Sequence, residues 1–274
     1  MESRGAENST NSKQRPLRRA VCVETSRGLM AGLIAAGCLH FAFLAAPAVA
    51  TDLISVNIHG VSGDGSSSGV AMSTNGNSAA FYSDADDLVP GDTNQARDVF
   101  VRDNAGTTER VSVSNSGAQA NGPSQKRGLT PAISDNGNIV AFYSDANNLV
   151  PDDNNGTTDV FVRDREARTT ALVSVNLSGK SGNRPSLFPS ISADGRLVAF
   201  QSAASDLVPG DTNGAADIFV RDLQAGGTER VCGVQPNSSS LNPKISGNGH
   251  FVAFVSAATN LDLSTLIGQL SHIN

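Results

Sequence analysis

Four glycines, Gly76, Gly137, Gly195 and Gly249, follow one another at intervals of 61, 58 and 54 residues, and each stands in the same phrase. Ile133 to Phe142 reads Ile-Ser-Asp-Asn-Gly-Asn-Ile-Val-Ala-Phe, and Ile191 to Phe200 reads Ile-Ser-Ala-Asp-Gly-Arg-Leu-Val-Ala-Phe. An earlier copy keeps Gly76 and Phe81, and a later one keeps Ile245, Gly249 and Phe254. The first three copies run on to Leu-Val-Pro at Leu88, Leu149 and Leu207. A second block follows them at Asp98–Asp103, Asp159–Asp164 and Asp217–Asp222, reading Asp-Val/Ile-Phe-Val-Arg-Asp. A third leads into each next copy around Val111, Val173 and Val231. A fixed period of this length marks a supersecondary unit that buries its apolar surface against its neighbours.

Each unit offers four short strands. In the third copy they are predicted at Pro189–Ser192, Leu197–Ser202, Asp217–Val220 and around Val231. Asn or Asp before Gly tolerates positive φ and supplies a tight hairpin between the first two. Ala203–Ala216 is the longer loop before the third strand, and Leu223–Gly227 is a polar turn. Leu197 to Phe200 and Ile218 to Val220 are apolar without alternation, so both faces of these strands must be buried. A sandwich would show polar outer faces. Four-stranded antiparallel sheets buried on both sides and repeated in tandem are the blades of a β-propeller. With 27 glycines and no Trp, and with Val, Ser, Asn, Asp and Thr throughout, composition also argues against a helical bundle. The expected fold is all-β: about three full blades plus partial ones, an incomplete ring.

The paired phrases resemble the WD40-like repeats of bacterial TolB-type propellers over about residues 70–256. That resemblance implies a fold and leaves function open, since propellers host many activities. The fourth copy departs from the pattern. It holds through Asn260-Leu261, then runs Asp262 to Asn274 without the third and fourth strands. At the front, Leu53 to Val56 resembles an outer strand with no blade before it. Closed rings have about four to eight blades. Three expectations follow: a fragment of a larger propeller, two chains sharing one ring, or an open array whose tail covers an edge. An uncovered edge invites self-association.

The first fifty residues read as a targeting segment. A basic cluster, Arg15 to Arg19 with Arg27, precedes the apolar run Leu29–Ala46 and the small-residue site Ala48-Val49-Ala50. The division is therefore 1–50 signal peptide or anchor, 51–260 propeller repeats and 261–274 a divergent tail. Export to a bacterial periplasm or exterior is expected, with residues 29–46 holding the chain to the membrane if they are retained. Ala36-Gly37-Cys38 resembles a lipid-attachment site only loosely, because the apolar run continues past it. Cleavage after Ala50 would remove Cys22 and Cys38 and leave Cys232 alone, excluding an internal disulfide. Cys232 is expected to be a buried small apolar residue.

The chain carries 20 basic and 26 acidic residues; the first fifty hold six and three of these, leaving 14 against 23. So acidic a body is ill suited to nucleic acid. It suits solubility, cationic partners or metal ions. The loops before the third strands place Asp92, Asn94 and Asp98, then Asp153, Asn155 and Asp159, then Asp211, Asn213 and Asp217 at matching positions. Calcium takes oxygen ligands at alternating loop positions. Against it, the fifth position is Ala96, Thr157 or Ala215, and no bidentate Glu follows. The competing structural reading has the first Asp and Asn forming turns and the last Asp bonding the loop.

Arg102-Asp103, Arg163-Asp164 and Arg221-Asp222 suggest one ion pair per blade. Gly65-Ser66-Ser67-Ser68-Gly69 matches a hydrolase string, but lies in a Ser/Gly-rich loop with no helix after it. His59, His250 and His272 form no metal spacing, and no Cys–His zinc pattern exists. Tyr82 and Tyr143 are expected to pack between blades. Equivalent polar positions are filled alike from blade to blade. That favours a non-enzymatic binding or scaffold module for an envelope protein or glycan; the alternative is a propeller hydrolase or lyase acting on peptide or glycan.

Overall fold

The computed structural model describes residues 19–22, 52–125, 129–232 and 234–261. The targeting features Leu29–Ala50 and Cys38, and the tail from residue 262 with His272, lie outside the described residues. Every regular element among the described residues is a strand. β1 (Arg19–Cys22) runs parallel to the last strand, β15 (Phe251–Ser256).

Three four-stranded sheets follow in order. The first joins β2 (Ser67–Met72), β3 (Ser78–Ser83), β4 (Asp98–Asp103) and β5 (Thr108–Arg110). The second joins β6 (Ala132–Ile133), β7 (Ile139–Ser144), β8 (Asp159–Asp164) and β9 (Thr169–Leu172). The third joins β10 (Ser186–Ile191), β11 (Leu197–Ser202), β12 (Asp217–Asp222) and β13 (Thr228–Arg230). A fourth, partial sheet holds β14 (Ser240–Ile245) beside β15. Within each full sheet all pairings are antiparallel and each strand neighbours the next in sequence.

The expected strand boundaries shift in two places. The first strand of the third sheet begins at Ser186 because a bulge between Leu187 and Ser190 absorbs Pro189, which cannot donate to a ladder. The fourth strand ends at Arg230, one residue before Val231.

The apolar runs are explained by which sheet each side chain meets. Ala80 and Tyr82 of the first sheet pack with Val140, Phe142 and Phe161 of the second. Ala141 and Tyr143 of the second pack with Val198, Phe200 and Phe219 of the third. Leu197 and Ala199 of the third pack with Val252 and Phe254 of the fourth. Alternate residues of one strand thus face opposite neighbours, so no position is left for a polar residue. Tyr82 and Tyr143 pack between blades, as expected. Inside each full sheet a phenylalanine pair stacks across the two central strands: Phe81–Phe100, Phe142–Phe161 and Phe200–Phe219, at 5.8, 5.9 and 5.8 Å.

The hairpin glycines also join blades. Gly137, Gly195 and Gly249 all have φ of 72–77°. A Cβ on them would meet Ser78, Ile139 and Leu197 of the preceding sheet at 2.6, 2.7 and 2.4 Å. Beside them the backbone amides of Asn75, Asp135 and Ala193 each donate to the carbonyl of the next hairpin, at Asp135, Ala193 and Gly247.

Stacked, tandem four-stranded blades make this a β-propeller array whose ring is not closed among the described residues. Its first sheet leaves Val70 and Met72 exposed. Ile133, Ile191 and Ile245, the counterparts of Met72, each pack on a preceding sheet.

Candidate functional site

The loops entering the third strands, β4, β8 and β12, carry the acidic residues expected from the sequence, and the structure gathers each trio at the strand entrance. Each loop has one architecture. The side-chain amide of Asn94, Asn155 or Asn213 donates to Asp98, Asp159 or Asp217, at 2.9, 2.5 and 3.1 Å. The same amide donates to the carbonyl of Ala120, Gly182 or Pro236 in the connection to the next blade. The Asn oxygen accepts the amide of Ala96, Thr157 or Ala215, closing a side-chain turn. Each Asn is therefore a strut, its oxygen already engaged.

The Asp at the strand entrance is buried in all three blades. In the first two, Ser112 and Ser174 donate to Asp98 and Asp159 at 2.5 Å and accept the amides of Val99 and Val160. In the third, Cys232 stands at that position. It is half-buried against the last apolar cluster, less enclosed than the sequence suggested. With no serine there, the Asp217 Oδ1 accepts no hydrogen bond.

What neutralises the two carboxylates differs between blades. In the first, Arg110 Nη1 lies 2.6 Å from Asp92 and 3.2 Å from Asp98. In the third, Arg230 Nη1 lies 3.9 Å from both Asp211 and Asp217, and Gln235 donates to Asp211 at 3.0 Å. Arg110 and Arg230 pair in register with Phe100 and Phe219; the residue paired with Phe161 in the second blade is Leu172. The second blade has no arginine at this position. Asp153 and Asp159 are both buried, and neither Asp153 oxygen accepts a hydrogen bond.

The electrostatics follow from burial. Asp159 is pushed up to about 7 by desolvation, opposed by the Ser174 hydroxyl and the Asn155 amide and reinforced by the Asp153 charge. Asp153 is raised, chiefly by desolvation. Asp217 is pushed up to about 6 by burial and then by the Asp211 charge. Asp98 is raised by burial, against Ser112, Asn94 and Arg110.

The repeated Arg-Asp steps do not form the expected pairs. Neighbouring residues of a strand point to opposite faces. Arg102, Arg163 and Arg221 donate instead to Thr108, Thr170 and Thr228 on the fourth strand, at 2.8, 3.0 and 3.0 Å. Asp222 pairs with Arg196, which holds its carboxyl down at about 2.

The Gly-x-Ser-x-Gly string places Ser67 at the start of β2, its hydroxyl 2.8 Å from Ser83. The same serine pair recurs at Ser124–Ser144, Ser186–Ser202 and Ser240–Ser256, so it is a blade feature. Sequence reasoning missed it, although its signal was present: a serine stands two residues after Phe81, Phe142, Phe200 and Phe254. His59 and His250 sit on exposed turns. Among the described residues no group of three or more His, Cys, Asp or Glu is placed to hold a metal ion, and no helix is long and apolar enough to cross a membrane.

Several solved structures follow a similar chain path over part of their length. TolB from Acinetobacter baumannii matches with 17% identity and a TM-score of 0.45 over 72% of this chain and 39% of its own. A TolB from Agrobacterium tumefaciens matches with 16% identity and a TM-score of 0.41 over 70% of this chain and 58% of its own. The β-propeller domain of the Trilobed protease from Pyrococcus furiosus matches with 10% identity and a TM-score of 0.36 over 61% of this chain and 42% of its own. The chain thus spans less than two thirds of the length of each. No family model matches the chain. No curated protein matches it either.

Proposed function

We propose that this array is an exported, non-enzymatic binding scaffold of the bacterial cell envelope or exterior, engaging a protein or glycan through the loops at its blade ends. The observation that carries this reading is how the blades use their polar side chains. The Asn struts, the serine pairs and the Arg–Thr bonds recur in every full blade and join parts of the same unit or its neighbour. A catalytic centre needs unlike groups converging on one point. Here, like groups are spread evenly along the stack.

The exposed Val70 and Met72 face of the first sheet supports self-association as a second property of the scaffold, because the faces between neighbouring blades are covered. The test is a pull-down from envelope extract beside hydrolysis and lyase assays on peptide and glycan panels. A retained partner without turnover is expected. Turnover of any of these substrates, lost on heating, would favour a propeller hydrolase or lyase instead.

A further inference from the structure

One difference between the three acidic loops is concealed by the sequence repeat. Blades one and three carry an internal cation for their carboxylate pair, and blade two carries none. Arg110 and Arg230 reach the pair from the fourth strand, and Leu172 fills that register in the second blade. Leu172 packs against the apolar cluster shared by the first two blades. The second blade keeps the Asn strut and the serine bond of the first. Asn155 still donates to Asp159, and Ser174 still donates to its other oxygen.

Asp153 is only 4% exposed and neither of its oxygens accepts a hydrogen bond. Two buried carboxylates without a counter-charge are costly, by several kcal/mol for each ion. The blade retains both. Asp153 also lines a cleft of about 640 Å³ between the turn at Ser114–Ser116 and the loop of residues 147–156. Of the pair, Asp153 borders this cleft, with its oxygens just beneath the surface, and Asp159 lies behind it.

We propose that Asp153 and Asp159 of the second blade bind one calcium ion, which takes the place held by Arg110 in the first blade and by Arg230 in the third. The donors are all oxygen, which selects a hard cation, and no nitrogen or sulfur ligand stands there for zinc. Calcium accepts six to eight oxygens at about 2.3–2.6 Å and tolerates irregular geometry. Asp153 supplies the two uncommitted oxygens, Asp159 shares its outer oxygen, and loop carbonyls with cleft water complete the shell. Asn155 is not a ligand, because its amide nitrogen faces Asp159 and its oxygen closes the turn at Thr157. The inference is independent of what the scaffold binds.

Isothermal titration of the chelator-treated full chain with calcium chloride, beside calorimetric melting, tests it. One calcium per chain is expected, with a rise in Tm of roughly 5–10 °C at a hundredfold excess over Kd. Asp153→Asn should weaken binding at least tenfold. Leu172→Arg, which copies blades one and three, should abolish binding and leave the melting temperature insensitive to calcium. Absence of binding would overturn the proposal and leave a proton shared by the two carboxylates. A stoichiometry of three would overturn it by placing calcium in every blade. Unchanged binding in folded Leu172→Arg would overturn it as well.

Discussion

Replacing Arg110 by leucine turns the first blade into a copy of the second at this position, and its cost can be worked from the structure. The Arg110 side chain is 9% exposed, and those of Asp92 and Asp98 are 2% and 0%. Removing one partner of so enclosed a group leaves uncompensated buried charge, which costs about 3–5 kcal/mol. Protonation sets a ceiling. Taking up a proton at pH 7 on a carboxyl whose unfolded value is near 3.9 costs about 4 kcal/mol at 1.36 kcal/mol per unit. Arg110→Leu should therefore lose about 3–4 kcal/mol at pH 7 in the presence of chelator. The sign of the pH dependence follows. Without Arg110 the Asp98 carboxyl, already raised by burial, rises further above its unfolded value. Stability is then lost as pH rises from about 4 towards neutrality. At pH 4.5, only about 0.6 units above the unfolded value, taking up that proton costs about 1 kcal/mol, and the deficit should shrink to that. Urea unfolding of both proteins at the two pH values measures this. A deficit below about 1 kcal/mol at pH 7, or one equal at both, would refute the account of Arg110 as the counter-charge of the pair.

Three further outcomes are expected. Phe161→Ala removes a fully buried ring from the stack with Phe142 at the boundary of the first two blades, and should cost about 3–5 kcal/mol in chemical denaturation. Gly195→Ala adds a Cβ 2.7 Å from Ile139 at φ 75°, whereas Gly76→Ala meets nothing at φ 73°; the first should cost about 2–4 kcal/mol and the second about 1 kcal/mol, read as shifts in urea midpoint. Asp222 is held at about 2 chiefly by its bidentate bonds to Arg196, so its stabilisation is present above pH 4 and is lost as pH falls towards 2. Discounted for partial exposure, Asp222→Asn should cost about 1 kcal/mol at pH 7 and nothing near pH 2 in acid-unfolding titrations.

The blade was legible because its determinants are local and periodic. Asn136-Gly137 and Asp194-Gly195 announce hairpins, and the runs at Leu197–Phe200 and Ile218–Val220 require two buried faces. The bulge before Ser190 was not legible, because Pro189 reads equally as a strand start until the partner register is known. The Arg-Asp steps misled because adjacent residues are close in sequence yet point apart in a strand, sending Arg221 to Thr228 and Asp222 to Arg196. At the acidic loops the repeated Asp-x-Asn spacing was visible. The residue that distinguishes the blades was not, since Arg110, Leu172 and Arg230 lie on a different strand and meet the loop only through sheet register.

The three loops answer one physical problem in three ways. The entrance Asp ties the long loop to the strand through an Asn strut, and in the first two blades also to the segment after the fourth strand through a serine. Losing the Asp would free both the loop and the start of the strand, so the carboxylate is fixed by folding. Its counter-charge is not. A tight arginine serves at Asp92 and Asp98, and a more distant one aided by Gln235 serves at Asp211 and Asp217. At Asp153 and Asp159 the protein supplies no cation, and Asp153 borders a cleft. Repetition builds a buried charge into every blade, and one substitution on a neighbouring strand decides whether that charge is spent on stability or left for an ion from solution.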